Sequence, residues 1–440
     1  MPEQGYSIRK ILSNLKIENL NEMQLASIEA NKSHNDVILL SSTGSGKTIA
    51  FLLPILELLN PRISKTQAII IVPSRELALQ IEKVFKTMAT GFKVTCCYGG
   101  HLRETEENNL LEAPALVIGT PGRLADHIRR GNIQTENIEI LVLDEFDKSI
   151  ELGFQEDMSF IISSLKKLNK RILTSATEAT EIPAFVGLIE PMRLNYLSGG
   201  TEKALTVQVV ESEDQDKSET LFRLICFLGN RSTIVFCNHR DAVERTGRLL
   251  SDKGIVNVFY HGALEQPDRD VALCKFRNGT SNILVTTDLA ARGLDIPNIR
   301  YIIHYHLPVN EEIFTHRNGR TARMDASGTA ILILSPDEKL PSYITVAVDE
   351  IELPETITLP EKPKWSTLFV GAGKKDKVNK VDIVGFLINK GRLKRDDLGL
   401  IEVKDFFSFA AVRKPKIGIT LELIKNEKIK NKKVKIDIAK

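Results

Sequence analysis

This 440-residue chain has no long apolar run. A membrane-spanning helix needs about 18 or more consecutive apolar residues. The most apolar stretch, Phe51 to Leu59, is broken by Pro54 and Glu57, so no membrane helix is expected. The opening MPEQGYSIRK lacks a signal-peptide apolar region, so export is not expected. Cysteine is scarce and odd in number: Cys96, Cys97, Cys226, Cys237 and Cys274 show no C-x-x-C spacing. That argues against a disulfide framework or a structural zinc site, and fits a reducing cytoplasm. Apolar residues make up 42% and charged residues 26%, which excludes wholesale disorder. At roughly 150 residues per domain, the length predicts about three domains.

Net charge is also nearly absent, at +2, but it is unevenly spread. Residues 365–440 hold 19 Lys+Arg against 9 Asp+Glu, a net of +10. Residues 1–364 hold 40 basic against 48 acidic residues, a net of −8. Such asymmetry suggests either a tail module that meets a polyanion or a solvated Lys-rich terminus.

Along residues 1–200, short apolar runs alternate with helix candidates. Asp36–Leu40, Gln67–Val72, Lys93–Tyr98, Ala115–Gly119, Ile138–Leu143 and Arg171–Thr174 read as buried strands. Continuous apolar strands separated by helices predict a parallel sheet covered on both faces. The pattern restarts after Leu197–Gly200, with strands predicted at Ser232–Phe236, Val256–Tyr260, Asn282–Thr286, Tyr301–His306 and Thr329–Leu334. We read a second α/β domain over 201–345 and a proline-bearing linker over 346–364. Residues 365–440 read as βαββαβ, a small sheet with two helices, as in RRM-like domains.

Ser41-Ser42-Thr43-Gly44-Ser45-Gly46-Lys47-Thr48 stands between a strand and a helix. Glycines let backbone N–H groups turn inward around phosphates, and the helix N-terminus adds a favourable dipole. Lys47 would reach the β/γ-phosphates and the Thr48 hydroxyl would ligate Mg²⁺. Ile140–Leu143 then ends in Asp144-Glu145, where a Mg²⁺-holding Asp and a water-orienting Glu are needed. His316-Arg317-Asn318-Gly319-Arg320-Thr321-Ala322-Arg323 supplies cations for the developing γ-phosphate charge, with Arg320 and Arg323 on one helical face. ATP hydrolysis, with domain closure delivering these arginines, is the reading that joins the three motifs.

In this order the motifs resemble those of the DEAD-box ATP-dependent RNA helicases over about residues 6–340. Pro73-Ser74-Arg75-Glu76-Leu77-Ala78, Gly99-Gly100, Thr120-Pro121-Gly122-Arg123, Asp144-Glu145-Phe146-Asp147 and Ser175-Ala176-Thr177 carry the resemblance in the first domain. Ile234–Asn238, His261-Gly262 with Gln266 and Arg269, Thr286–Asp295 and the arginine motif carry it in the second. The resemblance implies two RecA-like domains. It implies that Pro73, Arg75, Gly100, Thr120, Arg123, Gly262, Gln266, Arg269, Thr286 and Asp288 lie along an RNA backbone. It implies that Asp147, Ser175 and Thr177 couple ATP to RNA, and that Gly293, Asp295, Arg320 and Arg323 complete the nucleotide site. Gln24 would read the adenine, with Tyr6 as a candidate stacking aromatic.

This sequence departs from the family at several places. Phe146 replaces Ala, Asn318 and Ala322 replace Ile and Gly, and Lys16–Leu20 lacks the usual Gly-Phe and Pro. The tail, through Phe369–Val378, Val381–Gly385 and Asp405–Val412, resembles the RRM-like RNA-binding domain of DbpA-type bacterial helicases. That resemblance implies anchoring on large-subunit ribosomal RNA. Phe369, Phe406, Phe407 and Phe409 among lysines fit base stacking with phosphate attraction, or they form the small domain's core. The expectation is a monomeric cytoplasmic ATP-dependent RNA helicase using ATP and Mg²⁺ in large-subunit assembly. A non-processive ATP-gated RNA clamp with little turnover is the alternative.

Overall fold

The computed structural model describes residues 7–42, 44–100, 102–177, 181–197, 205–288, 299–319 and 328–439. The chain divides into two compact units, each taken by itself below.

The first unit opens with α1 (Ile8–Leu15) and α2 (Glu22–Ser33). Strands then alternate with helices: β1 (Asp36–Ser41), α3 (Lys47–Leu58), β2 (Ala68–Ile71), α4 (Arg75–Met88), β3 (Val94–Cys97), α5 (Arg103–Leu110), β4 (Leu116–Gly119), α6 (Pro121–Arg129) and β5 (Ile140–Leu143). α7 (Phe146–Glu151), α8 (Gln155–Ser164), β6 (Lys170–Ser175) and β7 (Met192–Tyr196) complete it. The seven strands form one sheet in the order β3-β4-β2-β5-β6-β1-β7, parallel at each described pairing. Side chains alternate across it as the pleat requires. Ile70, Ile118 and Val142 enter the apolar layer of Phe51, Leu52 and Ile55, while Ile69, Ile71 and Leu141 enter the layer of Met158 and Ile161. Both faces are covered, which is why the strands read as unbroken apolar runs.

The second unit repeats the plan with β8 (Thr206–Glu211), α9 (Ser218–Leu228), β9 (Thr233–Phe236), α10 (Arg240–Asp252), β10 (Asn257–Tyr260), α11 (Gln266–Arg277) and β11 (Ile283–Thr286). β12 (Tyr301–His304), α12 (Glu311–Asn318), β13 (Thr329–Leu334) and β14 (Val348–Glu350) follow. Its sheet runs β10-β11-β9-β12-β13-β8-β14, again parallel at each described pairing. Residues read from the sequence as linker are laid down on this domain. β14 extends the sheet, Ile351 N–H donates to the Val209 carbonyl at 2.8 Å, and Leu353 and Ile357 pack on the core.

The same unit carries the tail: β15 (Trp365–Val370), α13 (Lys380–Asn389), β16 (Leu398–Val403), β17 (Ser408–Arg413), α14 (Ile417–Ile424) and β18 (Ile436–Ile438). Its antiparallel order β16-β17-β15-β18 is RRM-like. The molecule is therefore two RecA-like α/β domains and a small α+β domain. The tail's sheet packs on α11: Cys274, Phe409 and Ala439 are buried together, with Val271, Phe369 and Phe407 around them. Most of the phenylalanines thus form an interface to the helicase domain, and only Phe406 stays largely exposed, at 59%.

Candidate functional site

β5, β6 and β1 are neighbours, so their carboxyl ends bring Asp144, Ser175 and the phosphate loop side by side. Gly44 and Gly46 sit at φ +85° and +95°. The positive φ at Gly46 favours glycine, and a Cβ there would lie 2.5 Å from Gln24 Nε2 and push that side chain aside. Lys47 Nζ donates to the Ser41 carbonyl at 2.7 Å, and Ser41 Oγ donates to Ser45 Oγ at 2.7 Å. Thr48 follows as the second residue of α3, and Ser42 is exposed at the loop's start.

Gln24 is buried against this loop, donating through Nε2 to the Gly46 carbonyl at 3.3 Å. Its Oε1 accepts from Asn21 N–H at 3.0 Å, Asn21 Oδ1 accepts from Gln24 N–H at 2.9 Å, and Asn21 Nδ2 reaches the Ser45 carbonyl at 3.0 Å. This capping box ties the start of α2 to the phosphate loop. Asn21 escaped sequence reasoning, although Asn three residues before Gln at a helix start is itself a capping signal.

Asp144 and Glu145 are both buried. The Thr174 hydroxyl donates to Asp144 Oδ1, and Glu145 N–H is shared between Asp144 Oδ1 and Thr174 Oγ1, each at 3.2 Å. Burial, then the adjacent Glu145, raises the Asp144 carboxyl to about 6, against the opposing pull of Thr174 and Lys47. Two adjoining buried carboxylates are a donor set that a divalent cation relieves. Glu145 is held at φ +48°, a strained left-handed conformation for a residue with a Cβ. Phe146 is 3% exposed and belongs to the apolar layer with Leu143 and Met158, so this departure is absorbed by packing.

The three residues assigned to coupling come together. Thr177 Oγ1 donates to Asp147 Oδ2 at 3.1 Å, and Ser175 Oγ accepts from Thr177 N–H at 3.0 Å. The carboxyl ends of β2, β4 and β3 continue the same edge. There Pro73, Gly99, Thr120 and Arg123 line a cleft of about 480 Å³, joined by Arg103 and Phe154, which the sequence did not single out. Arg75 stacks on Tyr98, 4.7 Å from the ring centroid, and Gly100 follows the cleft residue Gly99 with φ +89°.

In the second domain, adjacent β10 and β11 set Gly262 and Gln266 near the turn that holds Thr286 and Asp288. Arg269 lies over Tyr260 and donates to its hydroxyl at 3.0 Å. Asp288 receives Arg317 in a two-pronged pair, at 2.5 Å from Nε and 2.8 Å from Nη2. Arg317 is buried and also donates to Asn238 Oδ1 and the His306 carbonyl, each at 2.7 Å. Asn318 Oδ1 accepts from His304 Nε2 at 3.1 Å, which gives this departure a buried polar partner. Thr43, Gly293, Asp295, Arg320 and Arg323 lie outside the described residues, as do Tyr6 and Ala322.

Family models match in the same arrangement: DEAD/DEAH box helicase over 21–184, helicase conserved C-terminal domain over 216–325, and DbpA RNA binding domain over 367–438. The chain belongs to the DEAD-box ATP-dependent RNA helicases. Within them it falls among the DbpA-type members. It is 31% identical to the ATP-dependent RNA helicase DbpA of Escherichia coli, over 99% of this chain and 100% of the relative. It is 30% identical to that of Bacillus subtilis, over 99% and 98%. Among solved structures, S. cerevisiae Dbp5 bound to RNA and ADP BeF3 superposes with a TM-score of 0.69 at 25% identity, over 79% of this chain and 94% of that one. Mss116p bound to ssRNA and AMP-PNP gives 0.69 at 27% identity, over 80% and 79%. No helix among the described residues is long and apolar enough to cross a membrane.

Proposed function

We propose that this ATP-dependent RNA helicase acts on large-subunit ribosomal RNA during ribosome assembly, as a cytoplasmic monomer anchored by its tail. The observation that carries the reading is a net +10 RRM-like domain joined to a complete pair of helicase domains. The tail's likeness to the DbpA RNA binding domain supports ribosomal RNA as its target.

In the mechanism, Ser42–Thr48 wrap the phosphates with backbone N–H groups, and Gln24 meets the adenine from the start of α2. Lys47 exchanges the Ser41 carbonyl for the β/γ-phosphates. Thr48 and Asp144 would hold Mg²⁺, which would supply charge neutralisation for the phosphates. Glu145 orients the attacking water, and Arg320 and Arg323 neutralise the γ-phosphate in the transition state, with Gly293 and Asp295 beside the nucleotide. Pro73, Arg75, Gly100, Thr120 and Arg123 in one domain, and Gly262, Gln266, Arg269, Thr286 and Asp288 in the other, follow the RNA backbone. Phosphate and 2′-OH contacts of this kind carry no base information, so selectivity falls to the tail. Thr177 ties Asp147, two residues after Glu145, to Ser175 at the end of β6, which supports a coupling role for the three.

Phosphate release should rise on adding ribosomal RNA and rise less with an unrelated RNA of equal length. Equal stimulation by both would refute ribosomal RNA as the target.

A further inference from the structure

Behind the cleft of the first domain lies a carboxylate that the mechanism above does not use. Glu106 is 1% exposed, on the inward face of α5. Tyr98 N–H donates to its Oε1 at 2.7 Å, Arg123 Nη1 to its Oε2 at 2.9 Å, and His127 Nε2 to the same Oε2 at 2.7 Å. Asn132 Nδ2 lies 3.0 Å from His127 Nδ1. An amide nitrogen only donates, so Nδ1 accepts and the imidazole proton sits on Nε2, facing the carboxylate. Tyr98 in turn carries Arg75 on its ring and immediately precedes Gly99-Gly100.

We propose that Glu106 is a positioning residue for RNA, holding the Gly99-Gly100 turn, Arg75 and Arg123 at one spacing. Its carboxylate is a single fixed point to which three positions on two other segments, β3 and α6, are tied. One is the end of β3, through Tyr98. The second is the start of α6, through Arg123. The third is the second turn of α6, through His127. Arg75 follows indirectly, because its guanidinium rests on the ring whose backbone Glu106 holds. A buried, charge-assisted network of this kind sets geometry more strongly than exposed pairs do. Cys97 stands beside it, close enough that Cys97, Glu106 and His127 could offer three metal ligands. Burial and the Glu106 charge push the Cys97 thiol well above its ordinary value. With Glu106 already occupied by an arginine and a backbone N–H, the cluster is a hydrogen-bonded brace and not a cation site.

The proposal rests on the RNA reading of Arg75, Gly100 and Arg123, and the experiment separates the two. In the full-length protein, ATP turnover is measured against the concentration of a single-stranded RNA oligonucleotide. Glu106→Gln keeps one acceptor, for Tyr98 N–H, and puts an NH2 donor where Arg123 and His127 share a carboxylate oxygen, so both lose their acceptor. The expected result is a rise of about tenfold in the RNA concentration for half-maximal turnover, as loss of a charge-assisted bond implies. Turnover at saturating RNA and the KM for ATP stay within error of the parent, while the melting temperature falls by a few degrees because buried donors lose their acceptor. A half-saturation value unchanged within twofold overturns the proposal. So does a joint fall in saturated turnover, ATP affinity and melting temperature, which marks a folding residue. Asn132→Ala, which releases the imidazole, provides a milder second variant: a rise of about threefold is expected, and none overturns the proposal. Arg123→Ala is the control for the underlying reading. If it leaves half-saturation unchanged, the RNA assignment fails; if it raises the value while Glu106→Gln does not, only the positioning role fails.

Discussion

Asn278 Nδ2, at the C-terminal cap of α11, donates to Thr367 Oγ1 on β15 at 2.8 Å, with both side chains buried. Thr280 Oγ1 lies 2.8 Å from the same hydroxyl, and Arg277 reaches Glu402 at 3.3 Å. These polar contacts flank the apolar patch of Cys274, Phe409 and Ala439. The tail is thus welded to the second helicase domain through its sheet face. RRM domains use that face to stack bases. Here it is covered by α11, and Phe406 and many of the tail's lysines stay exposed.

Deleting 365–440 should therefore have two effects. RNA selectivity is lost while ATP binding persists, and the apolar strip of α11 at Val271 and Cys274 is uncovered. The truncated chain is expected to melt earlier and to aggregate more than the parent. Asn278→Ala, which removes one buried donor to the Thr367 hydroxyl and leaves Thr280 as its partner, should cost about 1 kcal/mol. Thermal melts of both variants check this; a truncated chain that melts as the parent does would show that the covered face contributes nothing.

The tail's RNA affinity should fall steeply with salt, because lysines that neutralise phosphates release counterions. Affinity of the full chain for a ribosomal RNA fragment is measured at several salt concentrations. A slope that is flat, or that matches the chain lacking 365–440, would remove the electrostatic role of the basic tail.

Replacing Glu145 by Gln removes the group proposed to orient water and leaves the backbone turn at φ +48° in place. Turnover should drop by at least about 100-fold, the scale of a general-base contribution. ATP-dependent RNA binding should persist. Retained turnover would contradict the assignment of Glu145.

Phe146 supports a prediction about stability. As the first residue of α7 it fills the apolar layer at 3% exposure, where the family's motif has Ala. Phe146→Ala restores the family residue but should destabilise the first domain by about 3–5 kcal/mol, because the surrounding core is shaped to the ring. Denaturant unfolding measures it, and a change below about 1 kcal/mol would mean the layer closes without the ring.

Much of this was legible in the sequence, for a physical reason. A parallel sheet covered on both faces demands unbroken apolar strands, so β1, β2 and β5 stand out as Asp36–Leu40, Gln67–Val72 and Ile138–Leu143. Ser41–Thr48, Asp144-Glu145 and Ser175–Thr177 were visible because each needs particular residue types in one short segment. Asn21, Thr174 and Glu106 were not. Thr174 meets Asp144 thirty positions away in the chain, on a neighbouring strand. Glu106 lies in RETEENNL, which reads as a solvated acidic helix face; only packing shows which acid turns inward. The phenylalanines of the tail were ambiguous between base stacking and core. They proved to be chiefly an interface, which depends on α11, a helix about ninety residues upstream of β15.

His304 gives the second domain a pH dependence whose sign is fixed by its surroundings. Burial first, then Arg317, lowers its imidazole to about 3, although the bond to Asn318 pulls the other way. Arg317 Nη1 lies 3.4 Å from Nδ1, and Phe236 and Phe314 stack on either side, so the folded domain holds a neutral ring. The unfolded chain protonates the same histidine near 6.5. Stability from this group is therefore full above about pH 6.5 and is lost as pH falls from there toward 3. Between pH 7.5 and 5.0 the loss amounts to about 2 kcal/mol. His306, lowered to about 4 by burial, adds to the same trend, so the parent alone does not isolate His304. His304→Gln keeps a donor for Asn318 Oδ1 and removes the titration. Unfolding free energies of parent and variant at the two pH values should differ in their pH dependence by about 2 kcal/mol, the variant being the flatter. Identical slopes would mean that a proton enters the folded domain at His304 without cost.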